Sequence, residues 1–209
     1  SDVYKRQKLI QVLFEEYGID RQEWLDMLEL AAIATVGDVM KLKDENRIVV
    51  KEGLKKLANT KIQGLVSLME KNTLDPEHIS AYHVGFVLGP CLNASGRLKT
   101  AQMAMELLLA ENKAQADELA DELKALNDER KDMTQEGTEA ASLQVETELK
   151  DDKVLVVFLP DCHESLAGIV AGRIREYYNK PVFVLTRAEG CAKGSGRSIE
   201  AYHMFHALV

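Results

Sequence analysis

The middle of this chain, residues 111–150, contains no proline and a single glycine, Gly137. Its apolar side chains recur every three or four residues, which is the spacing of one face of a helix. These positions are Ala116, Leu119, Ala120, Leu123, Leu126 and Ala140. The pattern predicts one long exposed helix. Because the apolar pattern of the sequence differs on its two sides, we also expect a domain boundary in or near this helix.

Nearly the same stretch, residues 111–152, accounts for the chain's net negative charge. The formal net charge is −8, and residues 111–152 alone contain 14 acidic and 5 basic side chains. A run of charge at helical spacing is typical of a solvated face on a spacer or linking helix, and an acidic interaction surface is the alternative. Because the acidity is concentrated here, the net charge does not exclude nucleic-acid binding by the rest of the chain.

The two flanks predict different secondary structure. Before residue 111, apolar periodicity indicates a series of short helices, whereas after residue 150 continuous apolar runs of strand length appear. We predict helices at 22–34, 45–58, 61–72, 78–88 and 99–111, then a strand at 154–158, a helix at 165–178 and a strand at 181–185. The fold class is therefore α/β, with a mainly helical first part and a parallel strand pair joined by a right-handed helical crossover.

Composition excludes several classes of protein. No stretch reaches the roughly 18 consecutive apolar residues of a membrane span, and the first residues lack the apolar core of a signal peptide. The three cysteines, Cys91, Cys162 and Cys191, are far apart and show no CxxC spacing, which disfavours a disulfide framework and a zinc site. We expect a cytoplasmic protein with reduced thiols.

Residues 193–198, Lys-Gly-Ser-Gly-Arg-Ser, follow the second predicted strand. Glycines let a backbone approach a ligand closely, serines offer hydroxyl groups, and Lys193 and Arg197 bring positive charge. The segment therefore has the parts of a phosphate-binding cradle. A Gly/Ser turn with two surface cations is the alternative interpretation.

A second polar segment, residues 161–165, follows the first predicted strand and opens a helix. Ligands of open α/β sheets bind at this position, so His163 is a candidate for binding or orienting a substrate. The small residues Gly168 and Gly172 are expected to let the helix pack closely on the sheet. A nucleophilic role for Cys162 is disfavoured, because adjacent residues rarely aim at each other and no orienting group is evident.

Two more candidates lie in the helical part. Asp38 follows a largely apolar helix and a glycine, so it is expected to lie where little solvent stabilises its charge. It is a candidate metal ligand, with a helix cap or loop aspartate as the alternative. Residues 89–97, Gly-Pro-Cys-Leu-Asn-Ala-Ser-Gly-Arg, are predicted to form a loop between helices. Asn93 and Arg97 suit the binding of a phosphodiester there, although turn chemistry explains the same composition.

In this order the segments resemble the single-strand-specific DNA exonucleases of the DHH phosphoesterase superfamily. The resemblance runs over residues 24–208. Residues 35–39 (Thr-Val-Gly-Asp-Val) with 45–47 (Glu-Asn-Arg) are similar to the family's late metal-ligand motif, and residues 89–97 to the loop that ends its DHH domain. Residues 126–130, 163–173 and 194–198 are similar to its linking helix and its DHHA1 domain.

The resemblance implies a domain organisation and roles for the candidate residues. Residues 1–110 would be the end of a DHH domain, 111–150 a linking helix, and 151–209 the beginning of a DHHA1 domain. Asp38 would be catalytic as a ligand of a two-ion site that uses Mn²⁺ or Mg²⁺. The substrate-binding residues of a cleft between the domains would be Asn93, Arg97, His163, Ser195, Gly196 and Arg197, the last three at the terminal phosphate.

The implied function is 5′→3′ hydrolysis of single-stranded DNA from a 5′ end, in recombination and repair. Partners would be single-stranded DNA and a single-strand-binding protein or helicase, and no membrane. The family's Asp-His-His triplet is absent from these 209 residues, so we expect them to have little nuclease activity on their own. Two alternatives remain: a related phosphodiesterase for short oligonucleotides or cyclic dinucleotides, which the long helix disfavours, and a non-catalytic nucleic-acid-binding domain.

Overall fold

The computed structural model describes residues 2–208, with side chains described for residues 8–20, 22–23 and 25–207. As far as residue 149 the chain is helical. The helices are α1 Asp2–Glu16, α2 Arg21–Asp26, α3 Leu28–Gly37, α4 Asp44–Leu57, α5 Gln63–Lys71, α6 Ala81–His83, α7 Gly89–Leu98, α8 Gln102–Leu108 and α9 Lys113–Gln144, with a 3₁₀ turn at Pro76–His78 and π-helical turns at Val84–Leu88 and Val145–Leu149. No helix in the described part of the chain is long and apolar enough to cross a membrane.

The remaining elements form a small mixed sheet with helices. They are β1 Leu155–Phe158, α10 Ala167–Tyr178, β2 Val182–Ala188, β3 Cys191–Arg197 and α11 Met204–Leu208. The strands lie in the order β1-β2-β3, with β1 and β2 parallel and β2 and β3 antiparallel. The predicted α/β class and the strand–helix–strand unit are therefore confirmed. The third strand was not predicted.

The chain divides into two compact units, Ser1–Asn127 and Asp128–Val209. The division falls within α9, so this one helix contributes to both units. The long helix is thus confirmed, but the expectation that it is exposed along its length is wrong. In the first unit its residues Ala120 and Leu123 are fully buried in an apolar core that also holds leucines of α5, and Ala116 is fully buried as well.

Acidic side chains of α9 are paired within the first unit. Asp121 accepts a hydrogen bond from Lys71, and Glu122 Oε1 lies 2.7 Å from Lys99 Nζ. Lys113, at the start of the helix, lies 2.6 Å from Glu70. Asp121 and Glu122 remain 59% and 43% exposed, so the acidic face is solvated here as predicted, and its charges meet Lys71 of α5 and Lys99, which follows α7.

The core of the second unit lies between the sheet and its helices. Ala141 of α9 and Val145 are buried with Val157 of β1. Helix α10 packs on the same core through its apolar positions. The buried members from α10 and β2 are Ala167, Val170, Ala171, Ile174, Val182 and Val184. Strands β2 and β3 are joined by the two residues Glu189 and Gly190, and Gly190 has φ +70°, a conformation that glycine adopts without steric cost.

Residues 81–98 form one continuous helical segment, so the prediction of a loop at 89–97 is wrong. Gly89 and Pro90 occupy its interior. Proline lacks the N–H that an α-helix interior requires, but the wide π-helical turn at Val84–Leu88 directly precedes it and changes the hydrogen-bond pattern there. Gly-Pro therefore does not end this helix.

Candidate functional site

The predicted phosphate-binding segment lies in strand β3, so the interpretation of residues 193–197 as a turn is wrong. Side chains alternate along a strand, which puts Lys193, Ser195 and Arg197 on one face. Ser195 pairs with Val184 and Arg197 pairs with Val182 across the sheet. Both valines are fully buried in the core with α10. The serine and the arginine therefore lie on the α10 side of the sheet.

Gly168, in the first turn of α10, makes room for these two side chains. A Cβ atom at this position would lie 2.9 Å from Arg197 Nη2 and 3.0 Å from Ser195 Oγ. Any larger residue would push both groups away from the helix. The expected close packing is therefore confirmed for Gly168. It is wrong for Gly172, where a Cβ would meet no described atom within 4 Å.

Arg197 is held by its own strand. Its Nη1 donates to Ser195 Oγ at 3.1 Å and to the Gly196 carbonyl oxygen at 2.9 Å. Because Ser195 Oγ accepts this bond, its hydroxyl hydrogen remains to donate to another group. Gly196 pairs with Phe183 across the sheet. It takes part in this group of residues through its carbonyl oxygen, which accepts the bond from Arg197.

The N-terminal turn of α10 adds positive electrostatic potential beside Ser195 and Arg197. The first N–H groups of a helix and its macrodipole favour an anion at the N-terminus. Ser195 and Arg197 lie against this turn, as their approach to Gly168 shows. A hydroxyl donor, a guanidinium group and a helix N-terminus together are suited to binding a phosphate.

Lys193 is engaged by an acidic residue. Its Nζ lies 2.9 Å from Glu164 Oε2, and both side chains are more than half exposed. The hydrogen bond from Lys193 and its charge hold the pKa of Glu164 below its usual value, and Glu164 likewise raises the pKa of Lys193. The pair is therefore ionised on both sides at neutral pH.

His163 lies directly before Glu164, in the connection between β1 and α10. Its Nδ1 is 2.8 Å from Ser165 Oγ and 3.3 Å from the Ser165 backbone nitrogen. A backbone N–H only donates, so Nδ1 is the acceptor and the neutral ring carries its proton on Nε2. The ring borders a recess within the second unit. Its lining residues are Met133, Glu136, Gly137, Ala140, Leu159, Pro160, Asp161, Cys162 and His163.

Cys162 does not form a nucleophilic pair with His163. Its Sγ is 3.6 Å from the backbone oxygen of His163, and burial raises the pKa of the thiol. A neutral thiol is a poor nucleophile. The sequence-based rejection of this role agrees with the geometry.

Asn93 and Arg97 lie four residues apart in α7, so they share a face of that helix. Both side chains are exposed. Earlier in the same helical segment, Phe86 and Tyr82 are 70% and 64% exposed. The two rings lie with their centroids 4.9 Å apart and an interplanar angle of 30°. Sequence reasoning missed these aromatic residues, although their spacing of four was visible.

Asp38 directly follows α3, and its backbone N–H donates to the Ala34 carbonyl oxygen at 3.0 Å. Its side chain is exposed, so the expectation of a solvent-poor position is wrong. The helix ends at the surface, where the next residue, Val39, is 88% exposed. Among the described side chains, no three His, Cys, Asp or Glu residues come together as a metal site. A metal-binding role for Asp38 stays a prediction.

Sequence reasoning also missed Glu164 as a neighbour of the phosphate-binding segment. It is 29 residues from Lys193, and no spacing relates the two positions. The only signal was its place beside His163, at the end of β1 where a sheet edge carries ligand-binding residues. The candidate site in the second unit is therefore built from two segments, 163–168 and 193–197.

Comparison with known proteins gives one consistent result. The chain is 38% identical over 202 residues to the single-stranded-DNA-specific exonuclease RecJ of Salmonella typhimurium, covering 93% of this chain and 35% of that protein. It is 37% identical over 185 residues to the protein of the same name from Bacillus subtilis, covering 88% of this chain and 24% of that protein. The chain is homologous to RecJ. It spans about a third or less of the length of these relatives.

Solved structures of RecJ agree with the sequence similarity. The structure of Thermus thermophilus RecJ in complex with Mn²⁺ matches this chain with a TM-score of 0.81 at 32% identity, over 94% of this chain and 28% of that one. The same RecJ in complex with Mg²⁺ gives a TM-score of 0.78 at 32% identity, again over 94% of this chain and over 30% of that one. Because both matches cover 94% of this chain, the resemblance to RecJ extends over both units. No protein-family model matches the chain.

The role of Gly168 can be tested against Gly172 on the same helix. Gly168→Ala is expected to displace Ser195 and Arg197 and to weaken binding of a 5′-phosphorylated oligonucleotide by roughly five- to tenfold, about 1–1.4 kcal/mol. Gly172→Ala introduces the same methyl group into open space and should leave binding unchanged, while stabilising the helix by about 0.5–1 kcal/mol. Fluorescence anisotropy and thermal unfolding measure the two effects. Equal loss of binding in both variants would contradict the assignment.

Proposed function

We propose that this chain is the part of a RecJ-type, single-strand-specific DNA exonuclease that holds the 5′ end of its substrate. One observation carries the proposal: Ser195 and Arg197 lie side by side against the first turn of α10, in space that Gly168 leaves open. The relatives named single-stranded-DNA-specific exonuclease support the same assignment. The proposed reaction of the whole protein is hydrolysis of phosphodiester bonds from the 5′ end, in the 5′→3′ direction.

The chemistry of a terminal phosphate fits this place. A phosphate monoester carries about −1.5 to −2 charge at neutral pH and has three strong acceptor oxygens. The Arg197 guanidinium can donate to two of them, and the Ser195 hydroxyl can donate to one. The N-terminus of α10 favours the negative charge that remains. His163, whose Nε2 carries the proton, is proposed as a further donor to the strand.

The first unit supports binding of a single strand over a duplex. Tyr82 and Phe86 expose two neighbouring rings in the same helical segment as Asn93 and Arg97. Bases of a single strand can stack on such rings, whereas bases in a duplex are already stacked on each other. Asn93 and Arg97 then supply donors for the phosphodiester backbone. We propose that this segment, residues 81–98, contacts the strand.

We propose that the whole protein uses Mn²⁺ or Mg²⁺ and that Asp38 is one of the ligands. Structures of Thermus thermophilus RecJ in complex with each of these ions support the choice of metal. The described residues of this chain do not fit a two-ion site by themselves, because Asp38 has no cluster of further ligands. We therefore propose that the chain by itself holds DNA and hydrolyses it poorly.

Recombination and repair in the cytoplasm are the proposed setting. Single strands with a 5′ end arise there when a helicase separates a duplex, so a helicase or a single-strand-binding protein is the proposed partner. A non-catalytic DNA-binding domain is the second candidate, and the lack of a ligand cluster in the described residues favours it. Turnover in the hydrolysis test below would exclude this second candidate.

Arg197→Gln tests the proposed phosphate grip. We expect at least a tenfold loss of affinity for a 5′-phosphorylated single strand, because a hydrogen bond to a charged group contributes about 1.5–3 kcal/mol. Affinity for the same strand with a 5′-hydroxyl should change little. Anisotropy titrations in EDTA measure both. Arg187→Gln, at an exposed position on β2, is the matched control. If Arg197→Gln weakened binding of the 5′-phosphorylated and the 5′-hydroxyl DNA equally, the phosphate assignment would be wrong.

Tyr82→Ala and Phe86→Ala test the stacking surface. Each is expected to weaken binding of an oligothymidylate by about 1–3 kcal/mol, the range for base–aromatic stacking. Binding of an abasic strand of equal length should be unaffected, because it has the backbone without bases. Tyr177→Ala removes a similarly exposed ring, 66% exposed on α10, and serves as the control. A loss that is the same for the abasic strand would rule out stacking.

Hydrolysis is tested by incubating the chain with 5′-phosphorylated single-stranded DNA and Mn²⁺ and measuring released nucleotides. We expect almost no release, because one carboxylate cannot hold two cations in a fixed arrangement. RecJ of Salmonella typhimurium is the positive control. Robust turnover by the chain alone would refute both the expected inactivity and the non-catalytic alternative.

A further inference from the structure

Lys193 forms an ion pair with Glu164 beside the proposed phosphate-binding residues Ser195 and Arg197. Lys193 and Ser195 occupy alternate positions of β3, so they share a face and are about 7 Å apart along the strand. A lysine side chain is long enough to reach a ligand at the neighbouring alternate position. Instead, Lys193 Nζ lies 2.9 Å from Glu164 Oε2. The Glu164 carboxylate therefore accepts a hydrogen bond from Lys193 that a phosphate oxygen could accept instead.

Glu164 approaches from the segment that leads into α10, three residues before the helix begins. Its negative charge lies on the side of the sheet where the proposed phosphate binds. The two side chains are 60% and 57% exposed, and ion pairs as exposed as this one add little to stability. The pair is thus strong enough to engage Lys193 in the free protein and weak enough for a stronger anion to displace the carboxylate.

The charge of the ligand sets the need for a second cation. Arg197 brings one positive charge, whereas a terminal phosphate monoester carries up to two negative charges and an internal phosphodiester carries one. Lys193 is the other cationic side chain on this face of β3. A dianionic end can therefore draw on both cations, and a diester is already matched by Arg197 alone.

We propose that Lys193 is a second cation for the terminal phosphate and that Glu164 holds it in reserve until that phosphate binds. This inference rests on the proposed function of Ser195 and Arg197. On binding, the Lys193 ammonium moves from the Glu164 carboxylate to a phosphate oxygen, and Glu164 becomes solvated. No bond is made or broken other than hydrogen bonds. Glu164 is thus a competitor within the chain that makes the site selective for a doubly charged end.

The test uses Glu164→Gln, Lys193→Gln and the double variant, titrated in EDTA with single strands that carry a 5′-phosphate or a 5′-hydroxyl. Glu164→Gln should tighten binding of the phosphorylated strand two- to fivefold and that of the hydroxyl strand less. Lys193→Gln should weaken binding of the phosphorylated strand alone. In the Lys193→Gln background, Glu164→Gln should have no further effect.

A matched control is Glu52→Gln, which removes a carboxylate from another exposed pair with lysine, also 2.9 Å long. The inference is overturned if Glu164→Gln has no larger effect than Glu52→Gln, or if its effect persists without Lys193. The latter result would indicate simple charge repulsion. Arg197→Gln separates this inference from the function on which it rests. If Arg197→Gln weakens phosphate binding while Lys193→Gln does not, only the reserve role of Lys193 fails.

Discussion

The close contact between α10 and β3 at Gly168 is the interaction on which the candidate site depends. The helix packs on the sheet through Val170 and Ile174, which are fully buried with Val182 and Val184 of β2. That apolar packing brings the first turn of the helix near the end of β3. Because Gly168 has no side chain, Ser195 and Arg197 can lie against this turn. Hydrophobic burial of the helix thus positions the Ser195 hydroxyl and the Arg197 guanidinium group.

The acidic character of the chain does not work against this site. Much of the negative charge belongs to α9, where Asp121 and Glu122 are paired with lysines of the first unit. A paired charge is largely cancelled by its partner, and an exposed charge is screened beyond about 10 Å at moderate ionic strength. The local balance near Arg197 is different, since Glu164 there is matched by Lys193. Net charge is therefore a poor guide to what a chain of this kind binds.

Elements with a clear period could be predicted from the sequence. The apolar run at 154–158 became β1, residues 165–178 became α10 almost at their predicted bounds, and the proline-free stretch became α9. Strand β3 could not be predicted, because Lys-Gly-Ser-Gly-Arg has no apolar alternation and glycine disfavours strands in general. It forms a strand because β2 offers a partner along its full length. Tertiary pairing overrides local preference here.

The site was predictable in its residue types and less so in its geometry. Ser195 and Arg197 were recognisable as candidate phosphate ligands, but Glu164, which pairs with Lys193, lies far away in sequence and could not be placed beside them without knowing how the sheet is paired. Asp38 shows the opposite failure, since an apolar helix before it indicated burial and the helix instead ends at the surface. At residues 89–97, Gly-Pro indicated a loop, whereas a π-helical turn lets the helix continue. Local signals do not report these long-range or irregular features.

The hairpin between β2 and β3 has a consequence for how this site can vary. Its connection is only Glu189 and Gly190, and this length fixes which residue of β3 lies opposite each residue of β2. If the connection stays two residues long, one residue more or fewer at the start of β3 would turn the strand over, so that the glycines would meet α10 and the charged side chains would lie beside Phe183 and Leu185. The residues that face α10 are thus set by the length of a turn several residues away. An extra residue at that turn leaves this face unchanged only if it lengthens the loop or forms a bulge.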